Sequence, residues 1–358
     1  MSKLNELMEQ SPTLAVMDSF VITNNKVSNP CYKSIMCSIS GGADSDVMLD
    51  ILTKLDTDKK VQYVFFDTGL EYQATKDHLK FLEEKYGIEI KVEKAVKPIP
   101  TCCRTYGQPF VSKIVSHRIE TLQKYGFKFE DKPFEELLEE YCEVVPEEIA
   151  SLNPDRYCYR NGKYYRGCCT SLRWWCNEFM RDDGVMGKYN IGYNKYLKEF
   201  MVANPPTFNI SDKCCTYAKK KVAKNFKENN NINLNVYGVR KAEGGARASA
   251  YKNCFTADVN GVDEYRPLFW YKNEDKKAYE EAFGVTHSRC YSEYGLQRTG
   301  CAGCPFGRDF EEELKVIETY EPKLYKAVNK IFGDSYEYTR KYKEFVKQMK
   351  VKEKECEE

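Results

Sequence analysis

Four cysteines in two close pairs have the most specific metal-binding pattern in this sequence. Cys214 and Cys215 are adjacent, and Cys301 and Cys304 form a Cys-x-x-Cys pair. Four thiolates in this pattern suit either an iron–sulfur cluster or a tetrahedral zinc ion. Two adjacent cysteines are awkward ligands for one zinc ion but can reach separate irons. The spacing therefore favours a 4Fe-4S cluster, with zinc as the alternative.

Further cysteines lie close together elsewhere among the 16 of this 358-residue chain. The sequence has no recognisable export signal, so we expect a cytoplasmic protein with reduced thiols rather than disulfides. A separate zinc site is conceivable for one group, and loop or core thiols are the favoured alternative. That group is Cys158, Cys168, Cys169 and Cys176. A third tandem pair, Cys102 and Cys103, has no obvious partner.

A glycine-containing loop offers groups that could bind phosphate. Residues 40–45 read SGGADS and follow a strand predicted over residues 33–40. Glycines let the backbone approach an anion, and the first N–H groups of the following helix point towards it. An ordinary capped turn is the alternative interpretation. The loop is not a Walker sequence, because no lysine follows the second glycine.

The elements around this loop alternate between strand and helix. Apolar alternation predicts strands over residues 33–40, 61–66 and 88–92, with helices after the first two. This order indicates an α/β fold with a parallel twisted sheet flanked by helices. Ligands bind such sheets at the carboxyl ends of the strands, where Ser40 and Asp67 lie.

The strand–helix alternation breaks at Pro98 and resumes after Pro206. We expect residues 34–97 and 207–310 to form one nucleotide-binding domain. Residues 1–33 would be an N-terminal extension and 98–206 a long, mostly helical insertion. Residues 311–358 would be a helical C-terminal region with a lysine-rich tail.

Three motifs resemble those of the phosphoadenosine phosphosulfate (PAPS) reductase family, within the PP-loop adenine nucleotide alpha-hydrolase superfamily. SGGADS resembles the family's SGGxDS loop, and residues 65–71 (FFDTGLE) resemble FxDTGxE. Residues 238–247 (GVRKAEGGAR) resemble G-[IV]-R-x-x-E-S-xx-R, with Gly244 replacing the serine. The resemblance implies an adenine nucleotide alpha-hydrolase-like fold that binds ATP, adenylylsulfate (APS) or PAPS.

The resemblance also implies roles for individual residues. Arg240 and Arg247 would clamp a phosphate or sulfate, because a guanidinium fork bonds two oxyanion oxygens at once. The residues implied to bind nucleotide are Ser40, Gly41, Gly42, Asp44, Ser45, Asp67, Thr68, Gly69 and Glu71.

The two cysteine pairs resemble those of the cluster-binding APS reductases, which implies that Cys214, Cys215, Cys301 and Cys304 ligate a 4Fe-4S cluster. Reductases of the family attack the sulfonucleotide with a cysteine in a C-terminal ECGLH-like segment. Glu355-Cys356 matches the start of that segment, but Glu357 follows and the Gly-Leu-His is missing. Cys356 is the candidate nucleophile that a reductase would need, and an ordinary cysteine in a charged tail is the alternative.

Three functions fit these observations. The first is thiol-dependent reduction of APS or PAPS to sulfite, with a thioredoxin-like protein as a suitable reductant. The second is an ATP pyrophosphatase that adenylates an acceptor, such as a nucleic acid, for sulfur transfer. The third is a non-catalytic nucleotide- or metal-binding protein.

The composition gives no general sign of a nucleic-acid or membrane partner. The 55 Lys and Arg residues balance 54 Asp and Glu residues, so the net charge gives no global attraction to nucleic acid. No apolar run predicts a membrane span.

Overall fold

The structure is a computed structural model that describes residues 2–179, 184–187, 189–244, 250–257, 261–307 and 309–357. The chain divides into two compact units. Unit 1 comprises Met1–Ile99, Cys215–Gly303 and Glu311–Lys326, and unit 2 comprises Pro100–Cys214, Cys304–Phe310 and Ala327–Glu358.

Nine strands occur in the described residues and form two sheets. In chain order they are β1 Ile35–Ile39, β2 Val61–Asp67, β3 Ile90–Lys94, β4 Cys142–Val145, β5 Cys158–Arg160, β6 Lys163–Gly167, β7 Leu234–Tyr237, β8 Phe255–Thr256 and β9 Asp263–Tyr265.

The α-helices of the described residues vary from short turns to one helix of 36 residues. They are α1 Lys3–Glu9, α2 Leu14–Val27, α3 Ala43–Leu55, α4 Gln73–Tyr86, α5 Ile99–Tyr106, α6 Lys113–Lys124, α7 Phe134–Tyr141, α8 Glu147–Ala150, α9 Cys169–Trp175, α10 Leu197–Ala203, α11 Lys213–Cys215, α12 Lys221–Asn229, α13 Asn273–Phe283, α14 Arg289–Ser292, α15 Phe310–Tyr320 and α16 Pro322–Glu357.

Unit 1 contains a six-stranded, mostly parallel sheet with the order β3-β2-β1-β7-β9-β8. Only β8 runs antiparallel, against β9. The central strand β1 pairs with β2 on one side and β7 on the other, with Ile39 opposite Phe65 and Ser38 opposite Tyr237. The predicted α/β class, a parallel sheet flanked by helices, is confirmed.

The core of unit 1 lies between this sheet and its helices. The apolar face predicted for the helix after the loop is buried on α3, and its members Val47, Met48, Ile51, Leu52 and Leu55 are at most 4% exposed. Each such side chain stabilises the fold by about 1.5–3 kcal/mol when fully buried. This packing fixes the start of α3 at the end of β1.

Strand β3 begins two residues later than predicted, and the end of α4 explains the difference. Gly87 has a left-handed backbone (φ 60°) that closes α4. The N–H of Ile88 then bonds to the carbonyl of Glu83 at 3.2 Å, so this residue still caps the helix. The strand can pair only from Ile90 onwards.

Unit 2 contains helices around a small antiparallel sheet with the order β4-β6-β5. The sequence predicted a mostly helical segment here and did not predict this sheet. Its strands have three to five residues each, too few for an alternating pattern to stand out. The core includes Trp174 and Trp175, both fully buried.

In the described part of the chain, no helix is long and apolar enough to cross a membrane.

Candidate functional site

The loop SGGADS connects β1 directly to α3, and its glycines are required by its shape. Gly41 has φ +66°, and a Cβ there would lie 2.6 Å from Thr75 Cγ2. A side chain at Gly238 would meet the backbone carbonyl oxygen of Asp44 at 2.9 Å, so this glycine lets β7 approach the same turn. The loop is therefore a tight turn that leads into the positive end of a 13-residue helix.

Hydroxyl groups surround this turn. The N–H of Gly42 donates to Ser40 Oγ at 3.3 Å, and the N–H of Ala43 donates to the Tyr291 hydroxyl at 3.1 Å. The Tyr291 and Thr299 oxygens are 3.2 Å apart. Ser45 Oγ accepts the Ser40 N–H at 3.2 Å. Amides and hydroxyls thus converge where an oxyanion could accept several hydrogen bonds.

Arg240 lies beside this loop and is paired with its aspartate. Its Nε donates to Asp44 Oδ1 at 2.9 Å, and its Nη1 donates to Asn273 Oδ1 at 2.9 Å. Burial raises the pKa of Asp44, and the Arg240 guanidinium opposes that effect. Lys276 Nζ lies 4.0 Å from the same carboxylate oxygen. Two cationic groups therefore flank the first turn of α3.

The Asp67 loop follows β2, next to β1 in the sheet. The N–H of Gly69 donates to Asp67 Oδ1 at 2.8 Å, which closes a tight turn. Thr68 is buried, and both its N–H and its hydroxyl donate to Glu71 Oε1, at 3.2 and 2.5 Å. Both loops thus follow the carboxyl ends of neighbouring parallel strands.

Cysteines of unit 1 lie against this second loop. Burial raises the pKa of Cys301, while the Lys219 ammonium and the Thr68 hydroxyl lower it. Burial lowers the pKa of Lys219, but Cys301, Glu71 and Cys215 raise it by a larger amount. The net shift of the Lys219 pKa is therefore upward. Two of the predicted metal ligands, Cys215 and Cys301, therefore share one lysine.

The backbone ties Cys301 to the Asp67 loop. The N–H of Ala302 donates to the Leu70 carbonyl at 3.0 Å. Cys215 lies at the end of α11, immediately before the π-helical turn Thr216–Lys220, which carries Lys219. The remaining predicted ligands, Cys214 and Cys304, belong to unit 2, where Cys214 is buried and Cys304 is half-buried.

A charged network includes Asp46, which lies in the first turn of α3. Asp46, which is 1% exposed, accepts a hydrogen bond from His287 Nδ1 at 2.9 Å. His287 Nε2 contacts Glu280 Oε1 at 2.8 Å, and Lys276 Nζ lies 2.5 Å from that oxygen. His78 Nε2 lies 3.1 Å from Asp46 Oδ2. This network was not predicted from the sequence, because its members are far apart in the chain.

Two more residues were predicted for the site, Arg247 and Cys356. Arg247 lies outside the described residues. Cys356 is exposed near the end of α16, in the part of that helix that belongs to unit 2. The neighbouring aromatic residues Phe269 and Trp270 differ in burial, because Phe269 is fully buried whereas Trp270 is 52% exposed. The Lys241 ammonium lies 5.5 Å from the Trp270 ring centroid.

Comparisons with known proteins bear on this arrangement. Residues 34–140 match the family model of the phosphoadenosine phosphosulfate reductase domain. An uncharacterized protein of Methanocaldococcus jannaschii is 45% identical over 58 residues. That alignment covers 16% of this chain and only 12% of the relative.

Solved structures of three enzymes are similar at low sequence identity. The phosphoadenylyl-sulfate reductase of Candida auris, in a phosphate complex, is 13% identical with a TM-score of 0.40, covering 83% of this chain and 93% of that one. The tRNA thiolase NcsA of Methanococcus maripaludis, with its 4Fe-4S cluster, is 12% identical with a TM-score of 0.35, covering 91% and 78%. The NH3-dependent NAD synthetase of Campylobacter jejuni is 11% identical with a TM-score of 0.35, covering 95% and 96%.

The family match begins at the predicted first strand and includes both the SGGADS loop and the Asp67 loop. The resemblance predicted from these motifs is confirmed. Residues 34–140 are therefore similar to the phosphoadenosine phosphosulfate reductase domain family.

Proposed function

We propose that the chain binds an adenosine sulfonucleotide, APS or PAPS, and reduces it to sulfite. The observation that carries this proposal is the pair of loops after β1 and β2. One loop offers amides and hydroxyls at a helix N-terminus, and the other lies beside Lys219 and Cys301.

In this proposal the SGGADS loop binds the nucleotide phosphates. Ser40, Gly41, Gly42 and Ser45 would donate backbone or hydroxyl hydrogen bonds at the positive end of α3. An incoming oxyanion would compete with Asp44 for the Arg240 guanidinium, to which it can bond through two oxygens. Arg247 would add a second guanidinium.

The Asp67 loop would contact the rest of the nucleotide. Asp67, Thr68, Gly69 and Glu71 are the residues proposed for this role. Burial raises the pKa of Glu71, while the Thr68 hydrogen bonds and Lys219 oppose that shift. Lys219 would favour the ionised form of Glu71, which is then an acceptor for nucleotide hydroxyl or amino groups.

The chemical step is a transfer of the sulfonate group to a cysteine. The thiolate of Cys356 attacks the sulfur of the sulfonucleotide, the bond from that sulfur to the phosphate oxygen breaks, and AMP (or its 3′-phosphate) leaves with the electron pair. A protein thiol of the thioredoxin type then attacks the Cys356 sulfur and releases sulfite. A second thiol of the reductant attacks the mixed disulfide so formed, closes the disulfide of the reductant and releases the Cys356 thiolate. Two thiols are oxidised, and the sulfur is reduced by two electrons.

A 4Fe-4S cluster held by Cys214, Cys215, Cys301 and Cys304 belongs to this proposal, with zinc as the alternative metal. The Lys219 ammonium hydrogen-bonds with Cys301 and interacts electrostatically with Cys215, which fits thiolate ligands because its positive charge offsets theirs. When bound, a cluster would supply an iron–thiolate centre next to the nucleotide loop. The Lys219 ammonium would stay charged and offset part of the negative charge of these thiolates.

An ATP pyrophosphatase is the second candidate function, and the sequence around Cys356 favours it. The residue lies in a regular helix, and the Gly-Leu-His expected after it is missing. In this alternative an acceptor oxygen, for example of a nucleic acid, attacks the α-phosphorus of ATP. Pyrophosphate leaves, and the adenylated acceptor becomes open to a sulfur nucleophile.

Product analysis separates the two functions. Anaerobically purified protein receives ATP, APS or PAPS with a thiol reductant, and AMP, pyrophosphate and sulfite are measured. We expect sulfite from APS or PAPS with the wild type and none with Cys356→Ser, while Cys31→Ser, a second exposed cysteine, keeps the activity. Pyrophosphate from ATP without sulfite from either sulfonucleotide would overturn the reductase proposal.

A further inference from the structure

We propose that unit 2 contains a structural zinc site formed by Cys142, Cys158, Cys168 and Cys169. These four cysteines are separate from the two pairs proposed for the iron–sulfur cluster. They lie on the small antiparallel sheet and at the start of α9, and none of them is in a disulfide.

Successive pairs of these sulfurs are in contact, at distances close to those between ligands of one tetrahedral ion. Adjacent cysteines are awkward ligands for one zinc ion, but here both members of the adjacent pair reach the same sulfur. Cys142 Sγ lies 3.8 Å from Cys168 Sγ and 3.5 Å from Cys169 Sγ. Cys158 joins the group through a hydrogen bond between its thiol and that of Cys169. With Zn–S bonds of about 2.3 Å, tetrahedral geometry puts the sulfurs ~3.8 Å apart. Cysteines that ligate different irons of a cubane lie farther apart, so these contacts favour zinc.

Strand pairing holds three of the four cysteines near one another. Cys142 is paired with Gly167, immediately before Cys168, and Cys158 is paired with Tyr165 on the same strand. Gly167 has φ +140°, and a Cβ there would lie 3.4 Å from Cys142 Sγ. Glycine at this position thus permits both the turn into Cys168-Cys169 and the close approach of the sulfur.

The set differs from the one expected from sequence, which included Cys176 instead of Cys142. The pKa of Cys176 is raised by burial, and its charged neighbours are Lys198 and carboxylates rather than other cysteines. Cys142 was missed because it precedes the others by 16 residues or more, and only the pairing of β4 with β6 brings it close. Strand pairing therefore decides which thiols meet.

Zinc would draw the four sulfurs into a closed shell. They now form a chain in the order 168, 142, 169, 158, and no three of them in the described structure lie mutually within 4.8 Å. Closing the shell would require rotation of these side chains about their Cα–Cβ bonds, which moves each Sγ from one staggered position to another. The thiols now also donate to the Tyr141 and Tyr165 carbonyls, at 3.7 and 3.6 Å, and metal binding would release those protons.

Metal analysis with variants is the first test. Zinc and iron per chain are measured for the full-length protein, for Cys142→Ser and Cys158→Ser, and for Cys254→Ser as a control outside both groups. We expect one zinc per chain in the wild type and the control, and a loss of at least tenfold in zinc occupancy in the other two. Iron content should not change. Loss of iron instead of zinc, or zinc retained in both variants, would overturn the proposal.

A measurement on the wild type avoids dependence on variants that fail to fold. The native protein is treated with N-ethylmaleimide before and after zinc is stripped by a chelator, and the modified peptides are quantified by mass spectrometry. We expect stripping to speed modification of the four cysteines at least tenfold and to leave Cys176 unchanged. Equal rates before and after stripping, or a wild type without zinc, would contradict the site.

Discussion

At the scale of single residues, His287 is held between two carboxylates behind the phosphate loop. Burial alone would lower its pKa, but hydrogen bonds to Asp46 and Glu280 raise the pKa to about 9. The ordinary value is about 6.5, so folding favours the protonated form over the range between the two values. The charged imidazole thereby compensates the buried carboxylate of Asp46 at the start of α3.

Stability should therefore depend on pH through His287. Its contribution is fully present below about pH 6.5 and is lost as the pH rises through about 9. Replacing it, as in His287→Gln, should lower the free energy of unfolding by at most about 3 kcal/mol near pH 6 and by much less near pH 10. Urea unfolding of both proteins at the two pH values measures this difference. A difference that does not change with pH would contradict the assignment.

The Lys219 ammonium should control the acidity of Cys301. Removing the charge in Lys219→Gln should raise the pKa of the thiol and slow its alkylation about three- to tenfold in metal-free protein. Peptide mass spectrometry after timed iodoacetamide treatment gives the rate for Cys301 alone. The matched control is Lys220→Gln, one residue along the same π-helical turn. Equal slowing in both variants would indicate a general effect of charge instead.

The residue-scale predictions from sequence succeeded where position depends on local order. Ser40 and Asp67 were placed at strand ends, because a strand that leads into a glycine turn is visible in the sequence. The contacts of Tyr291 and Thr299 with the SGGADS loop were not predicted. These contacts join residues 248 and 258 positions apart, and the sequence does not encode such pairings locally.

At the scale of elements, the strand–loop–helix unit around Gly41 depends on a conformation that favours glycine. Gly41 and Gly87 both have left-handed backbones, but only Gly41 has a side chain, Thr75, where a Cβ would lie. A comparison of the two positions separates backbone strain from steric overlap. The two glycines therefore form a matched pair.

Alanine at these positions should have different effects. Gly87→Ala should cost about 1 kcal/mol of unfolding free energy, from the left-handed strain alone, and leave nucleotide binding unchanged. Gly41→Ala should cost more, because Thr75 or the loop must move, and should weaken nucleotide binding at least tenfold. Isothermal titration with APS and ATP, with thermal unfolding, checks both. Unchanged affinity in Gly41→Ala would mean that the turn is not the phosphate site.

Element prediction followed the strength of the periodic signal. The limits of α13, Asn273–Phe283, are marked by a capping acid at Asp275 and a closing glycine at Gly284. The three strands of the small sheet escaped prediction. They depend on pairing with one another rather than on a long apolar pattern. For example, the ring centroids of Tyr159 and Tyr164 lie 4.7 Å apart.

At the scale of the whole molecule, the family resemblance and the fold class have the same basis. The strand–helix alternation predicts a parallel sheet, and the motifs at its strand ends carry the resemblance to the family, so one stretch of sequence supplied both predictions. Most of unit 2 has neither the strand–helix alternation nor the family motifs, so its architecture could not be predicted from the sequence. Cys356 belongs to this less predictable part of the chain.

In the proposed reaction, Cys356 receives the sulfonate group of a bound sulfonucleotide. The most direct measurement is to incubate the reduced protein with APS or PAPS in the absence of thiol reductant and to map covalent adducts by mass spectrometry. We expect one sulfonate on Cys356, released as sulfite when a dithiol is added, and no adduct with ATP. A protein that binds the sulfonucleotide but carries no sulfonate on Cys356 would contradict the account.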